Sequence, residues 1–132
     1  MTAAGNPPVL RIDLASPLPV YLQISQGLRA LLVAGTLAPG DRLPTVRQLA
    51  VDLGVHHNTV AEAYRLLAEE GWLELKRRLG ATVVSRPQPA PSEEAEQSFR
   101  KRLRELVAES LARGVPAASV AAHLRETAGG LP

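Results

Sequence analysis

Apolar residues recur with helical spacing in two short stretches near the middle of the chain. In the first stretch, Leu49, Ala50 and Leu53 fall at positions i, i+1 and i+4. The second stretch has the pattern i, i+3, i+4 and i+7, at Val60, Ala63, Tyr64 and Leu67. Gly54 lies between them and can adopt the positive φ that a sharp turn between helices requires. The pattern predicts either a helix-turn-helix, whose second helix enters the DNA major groove, or an ordinary αα-hairpin.

The signals for helix starts and ends around this pair agree with it. Thr45 and Gln48 have the spacing of a capping box, so the first central helix is predicted to begin here. The second is predicted to run from about His57 to Glu70. A longer helix is expected earlier in the chain, after a proline and before a glycine, with an apolar stripe at Val20, Ile24, Leu28, Leu31 and Leu32. A type II turn is predicted at the Pro-Gly pair of positions 39 and 40.

Two short β-prone runs follow, at positions 72–76 and 81–84. Arg77, Arg78 and Gly80 lie between them, so the segment is predicted to form a β-hairpin. Trp72 is expected to fill the core beneath this hairpin. Near the N-terminus, residues 9–14 alternate weakly and fit either a short strand or an extended arm.

The C-terminal part has a different character. Residues 86–92 form a Pro-rich linker, and a helix is predicted over residues 93–113 with a shorter one over 117–126. The longer helix has a single apolar stripe, at Phe99, Leu103, Leu106, Val107 and Leu111. Two helices of this size cannot bury such a stripe between them. We therefore expect it to be the interface of a homodimer.

Composition narrows the classes of protein further. The chain has 132 residues, no cysteine and a formal net charge of +2. It lacks a basic segment followed by an apolar run at its start, and no uncharged stretch is long enough to cross a bilayer, so we expect a cytoplasmic protein without a membrane partner. No nucleophile–base constellation, Gly-rich phosphate loop or spaced set of His and carboxylate ligands is evident. The sequence therefore predicts no catalytic residues, no metal site and no cofactor.

Residues 17–85 resemble the GntR family of bacterial transcription regulators. The resemblance rests on five motifs in the family's order and spacing: PVYLQI from Pro19, GTLAPGDRLPTVR from Gly35, LAVDLGV from Leu49, NTVAEAY from Asn58 and GWL from Gly71. The remaining part of about 40 residues looks like the short two-helix C-terminal domain of the YtrA-like subfamily. It is shorter than the large effector domains of most other subfamilies.

The resemblance implies a mainly α fold with a small β-hairpin. It implies an N-terminal arm (1–16), a winged helix-turn-helix DNA-binding domain (17–85), a linker (86–92) and a short helical dimerisation domain (93–132). The expected function is sequence-specific regulation of transcription, as a homodimeric repressor on a palindromic operator in double-stranded DNA. A small-molecule effector is compatible with the C-terminal domain, although the sequence does not identify one.

The same resemblance, together with the helix-turn-helix geometry, gives a set of expected DNA-binding residues: Thr45, Arg47, His56, His57, Asn58, Thr59, Arg77, Arg78 and Gly80. Arg47 matches the family's DNA-contacting arginine, and a guanidinium suits phosphate or guanine. An ion pair with Asp41 or Asp52 is the alternative use of this arginine. Asn58 is suited to reading adenine, or else to capping the helix locally.

The chain departs from the family's usual pattern in two places. His56 and His57 replace the usual Ser-Arg, in which the serine caps the recognition helix and the arginine reaches DNA. The tip of the wing, which is the predicted hairpin, reads Leu79-Gly80-Ala81-Thr82 where the family usually has Gly-x-Gly-Thr. Two other functions remain open. One is an architectural or accessory DNA-binding protein without effector control, and the other is a protein-interaction module on a winged-helix fold, which only the His56-His57 substitution supports.

Overall fold

The computed structural model describes residues 10–77 and 80–131. Over these ranges the elements are α1 (Val20–Ala34), α2 (Val46–Leu53), α3 (His57–Glu69), β1 (Leu73–Lys76), β2 (Gly80–Val83), α4 (Glu93–Ala112) and α5 (Ala117–Gly129). The predicted fold class, mainly helical with one small hairpin, is confirmed. The chain divides into two compact units, Met1–Pro87 and Gln88–Pro132.

The first helix begins and ends where its flanking residues predict. It follows Pro19 directly and stops at Gly35, whose φ of 81° is readily reached only by glycine. The N–H of Leu37 then donates to the carbonyl oxygen of Leu31 at 3.2 Å, which closes the last turn of α1.

The turn between α2 and α3 also rests on a glycine. Gly54 has a φ of 70°, and the next N–H, from Val55, donates back to the carbonyl oxygen of Ala50 at 3.0 Å. The turn brings Ala50 of α2 against α3, whose four predicted apolar positions are all buried. The helix-turn-helix arrangement is therefore present, and α3 ends at Glu69, one residue before the predicted Glu70, which is its C-cap.

The hairpin pairs antiparallel, from Leu73 opposite Val83 to Lys76 opposite Gly80. Its limits differ from the predicted ones by one residue. Trp72 lies outside β1 because its N–H donates to Leu67 at the end of α3, while β2 begins at Gly80 and ends at Val83. Trp72 is only half-buried, at the edge of the core. The prediction that Trp72 fills the core is therefore only partly correct, because its side chain packs against the core without being fully buried.

Strand β2 has a neighbour on its other side that the sequence did not predict. Arg42 forms an isolated bridge with Thr82, and the N–H of Leu43 donates to the carbonyl oxygen of Ala81 at 2.8 Å. The predicted Pro-Gly turn precedes this bridge, with Gly40 at a φ of 95°. The turn thus directs the chain onto the edge of the hairpin, which fixes the wing beside the start of α2.

One aliphatic cluster holds the first unit together. It consists of Ile24, Leu28, Leu32, Leu43, Leu49, Ala50, Val60, Ala63, Tyr64, Leu67, Leu73, Ala81 and Val83. Leu10 and Ile12 pack against it, and Leu10 lies so close to Gly27 that an added Cβ would be 2.7 Å from its Cδ2. Residues 10–14 contain no strand, so the described part of this segment is an arm; residue 9 lies outside the described residues.

The second unit consists of α4 and α5. Ser92 caps α4, accepting the N–H of Ala95 at 3.1 Å. This helix ends at Ala112, one residue before the prediction, and α5 continues to Gly129, past the predicted end at Glu126, because no proline interrupts that stretch. No helix in the described part of the chain is long and apolar enough to cross a membrane.

Candidate nucleic-acid interface

The first turn of α3 presents three polar side chains to solvent. His56, His57 and Asn58 are exposed, and Thr59 is half-buried behind them. His56 is the N-cap of α3, because its Nδ1 accepts the backbone N–H of Asn58 at 3.1 Å. The imidazole therefore performs the capping that the family assigns to serine, so the side chain of Asn58 is not the cap.

The capping box predicted at the start of α2 is present. Thr45 Oγ1 accepts the N–H of Gln48 at 3.1 Å, and Gln48 Oε1 accepts the N–H of Thr45 at 2.9 Å. Arg47 follows in the first turn of α2 and is exposed. Among the described residues it forms no ion pair with Asp41 or Asp52, and the carboxylate of Asp41 instead accepts the N–H of Ala38 at 2.8 Å.

The wing lies close to the start of α2 at Gly80. Gly80 has a φ of 78°, and an added Cβ would lie 3.5 Å from both the carbonyl oxygen of Leu43 and the Cα of Thr45. Arg77 is exposed in the turn after β1, whereas Arg78 lies outside the described residues. The wing is therefore attached to the same end of α2 that presents Arg47.

These elements enclose a cleft of about 400 Å³ between α2, α3 and the hairpin. Its walls are formed by Thr45, Val46, Arg47, Ala61, Tyr64, Leu75, Lys76 and Gly80. Three of the predicted DNA-binding residues thus meet here. The cleft also includes a cation that sequence reasoning missed, Lys76, whose Nζ lies 3.6 Å from an exposed carboxylate oxygen of Glu74. The sequence feature that could have identified Lys76 was its position next to the predicted basic turn.

The arrangement offers hydrogen-bond donors and positive charge. Arg47, Lys76 and Arg77 are all exposed, which suits contacts with a phosphate backbone. Within the described ranges, no three His, Cys, Asp or Glu side chains come together in a way that could hold a metal ion.

Comparison with known proteins gives consistent matches. The family described as "Bacterial regulatory proteins, gntR family" matches residues 20–83. The "HTH-type transcriptional repressor YtrA" of Bacillus subtilis is 33% identical over 107 residues, covering 81% of this chain and 82% of that protein. The chain belongs to the GntR family.

Solved structures place this GntR protein among the YtrA-like members. YtrA from Sulfolobus acidocaldarius has a TM-score of 0.57 and 36% identity, over 79% of this chain and 98% of that one. AraR(DBD) in complex with operator ORX1 has a TM-score of 0.52 and 25% identity, over 57% of this chain and 96% of that one. The family consists of DNA-binding transcription regulators and not enzymes, so the predicted class of protein is confirmed.

Proposed function

We propose that this protein is a homodimeric repressor that binds a palindromic operator. In each half-site, α3 lies in the major groove and the wing lies over the adjacent minor groove. The observation that carries the proposal is the common exposure of Arg47, His56, His57 and Asn58 at the starts of two helices that the turn at Gly54 joins. Repression is the role named for the similar YtrA of Bacillus subtilis.

The contacts divide by chemistry. Asn58 and the histidines, on the first turn of α3, read base edges. Thr59 and Arg77 hold phosphates on either side, Arg47 contacts a phosphate or a guanine, and Thr45 and Gly80 bring the wing and α2 together. Arg78 completes the wing contact in this proposal.

The second unit supplies the dimer interface. Neither α4 nor α5 contains a buried residue in the described part of this unit. Phe99 is 64% exposed and Leu106 58% exposed, with Leu111 exposed and Leu103 and Val107 half-buried. Two helices without a core are not stable alone, and a second copy covers the stripe by its own symmetry.

Selection of duplex fragments by the purified protein, followed by a salt titration, tests the proposal. Tight, salt-sensitive binding to the selected duplex and weak binding to a scrambled duplex is the expected result. Equal salt-sensitive binding to both duplexes indicates the architectural alternative. No binding to either indicates a protein-interaction module.

An effector site is the remaining element of the proposal. A cleft of about 390 Å³ lies between α4 and α5. It is lined by aliphatic side chains, which include Leu103, Leu106 and Val107 at the edge of the α4 stripe, together with Ser110, His123 and Thr127. Its volume suits a small, mostly apolar molecule. Titration of candidate metabolites into the protein–operator complex, with release of DNA as the signal, tests this part.

A further inference from the structure

The cap on α3 determines which nitrogen of His56 carries a proton. A backbone N–H can be accepted only by a lone pair, and here that lone pair is on Nδ1, 3.1 Å from the nitrogen of Asn58. Neutral imidazole has one donor nitrogen and one acceptor nitrogen. Because Nδ1 is the acceptor, Nε2 carries the hydrogen.

The ring is also held in place. The imidazole of His57 stacks on that of His56, with ring centroids 4.4 Å apart and an angle of 26° between the planes. The backbone of His56 is extended, with φ −70° and ψ 143°, as an N-cap requires. The cap and the stack thus restrain the orientation of a side chain that is otherwise exposed to solvent.

We propose that His56 determines part of the operator specificity by donating a hydrogen bond from Nε2 to an acceptor atom of DNA, while its Nδ1 caps the helix. The proposal rests on the proposed DNA-binding function of α3. The partner is a base-edge acceptor such as purine N7, because the outward nitrogen is only a donor and a phosphate oxygen carries no sequence information. A serine at this position caps the helix equally well but is too short to make the second contact.

The tautomer is tested in the free protein. Two-bond ¹⁵N–¹H NMR correlations of the imidazole distinguish the two neutral forms at a pH above 7.5. We expect a protonated Nε2 and an unprotonated Nδ1 for His56. A protonated Nδ1 in the folded chain would overturn the proposal.

The DNA contact is tested by separating it from the cap. His56→Ser keeps the cap and removes Nε2, and His56→Ala removes both. The loss of one hydrogen bond should weaken binding of the selected duplex by about three- to tenfold in both variants. Only the Ala variant should also lower Tm, by about 4–8 °C. His56→Asn is a second capping variant, for use if the Ser variant is unstable.

The outcomes are distinct. If the Ser variant binds the selected duplex as tightly as the unchanged protein, His56 is only a cap and the proposal is overturned. If the unchanged protein does not distinguish the selected duplex from a scrambled one, the proposed function fails, and the contact fails with it.

Modified DNA identifies the acceptor. Replacing each purine of a half-site in turn by its 7-deaza analogue removes N7, and replacing single phosphates by methylphosphonates removes a backbone acceptor. One 7-deaza replacement should weaken binding of the unchanged protein and leave the Ser variant unaffected, which is the coupling expected of direct partners. The same coupling with a methylphosphonate would place the contact on the DNA backbone and overturn the specificity proposal. Equal effects of every replacement on both proteins would contradict the contact.

Discussion

The hydroxyl of Tyr64 donates a hydrogen bond to the carbonyl oxygen of Pro44, 2.7 Å away. Tyr64 is buried in the middle of α3, and Pro44 directly precedes the N-cap of α2. The bond therefore joins the recognition helix to the start of the helix that presents Arg47. Burial raises the pKa of the Tyr64 hydroxyl, so it remains a donor across the physiological range.

Tyr64→Phe removes this donor without changing the aromatic packing. We expect the free energy of unfolding to fall by about 1 kcal/mol, because the carbonyl of Pro44 loses its partner. Urea denaturation measures the change. Tyr21→Phe, at a half-buried tyrosine of α1, is the matched control. Equal stability of the Tyr64 variant and the unchanged protein would show that water replaces the bond.

The ion pair between Arg29 and Glu70 should make stability depend on pH in the acid range. Its guanidinium donates to both carboxylate oxygens, at 2.9 and 2.6 Å, and this bonding lowers the pKa of Glu70 from its ordinary value of 4.5. The folded chain therefore holds fewer protons than the unfolded chain near that pH. The stabilisation is complete well above pH 4.5 and is lost as the pH falls through the lowered pKa.

Glu70→Gln tests this linkage. The stability difference between the unchanged protein and the variant should be small near neutral pH, about 0.2–1 kcal/mol, because both side chains are about one-third exposed. It should shrink further below pH 4.5. Denaturation series from pH 7 to pH 3 measure it, with Glu69→Gln as the control at a neighbouring exposed carboxylate. A difference that grows toward low pH has the wrong sign for this account.

Sequence patterning predicted the elements of the first unit well, because each is specified locally. The capping box at Thr45, the glycines after α1 and α2, and the apolar spacing of α3 each act within a few residues. The bridge between Arg42 and Thr82 was not predicted, since it joins segments 40 residues apart and involves no alternating pattern. Local hydrophobic periodicity reports on neighbouring positions only, so it cannot predict pairing between distant segments.

The sequence predicted which residues belong to the candidate site better than it predicted what each side chain does there. The family resemblance indicated the positions of His56 and Asn58, but it associated the cap with the serine that His56 replaces. Only the geometry shows that Nδ1 can accept the N–H two residues ahead. Lys76 was missed because it ends a strand, and only folding brings it to the cleft beside Arg47.

The dimer proposal predicts a specific effect of charge on α4. Leu106→Glu places a carboxylate in the apolar stripe and should convert the dimer into a monomer, since burying an unpaired charge is costly. Ala108→Glu introduces the same side chain about 200° around the helix, at an exposed position, and should leave the dimer intact. Sedimentation equilibrium distinguishes the two. A dimeric Leu106 variant would place the interface elsewhere.

Arg47→Ala should weaken binding of the selected operator by about 1–3 kcal/mol if its guanidinium bonds a guanine. If it contacts only phosphate, selected and scrambled duplexes should lose similar amounts, and the slope of affinity against salt should decrease by about 1. Fluorescence anisotropy at several salt concentrations separates these cases. Unchanged affinity for both duplexes, in a variant with an intact circular dichroism spectrum, would remove Arg47 from the interface.

The central claim is that the first turn of α3 reads base sequence, and Asn58→Ala tests it most directly. Affinities of the variant and the unchanged protein are measured for every single base-pair substitution of one selected half-site. We predict that the variant no longer discriminates between base pairs at one position, where the selected half-site has an adenine. Its affinity for that half-site should fall by about 1–3 kcal/mol, and discrimination at the other positions should be retained. A uniform loss across all duplexes, with discrimination unchanged at every position, would contradict base reading by α3.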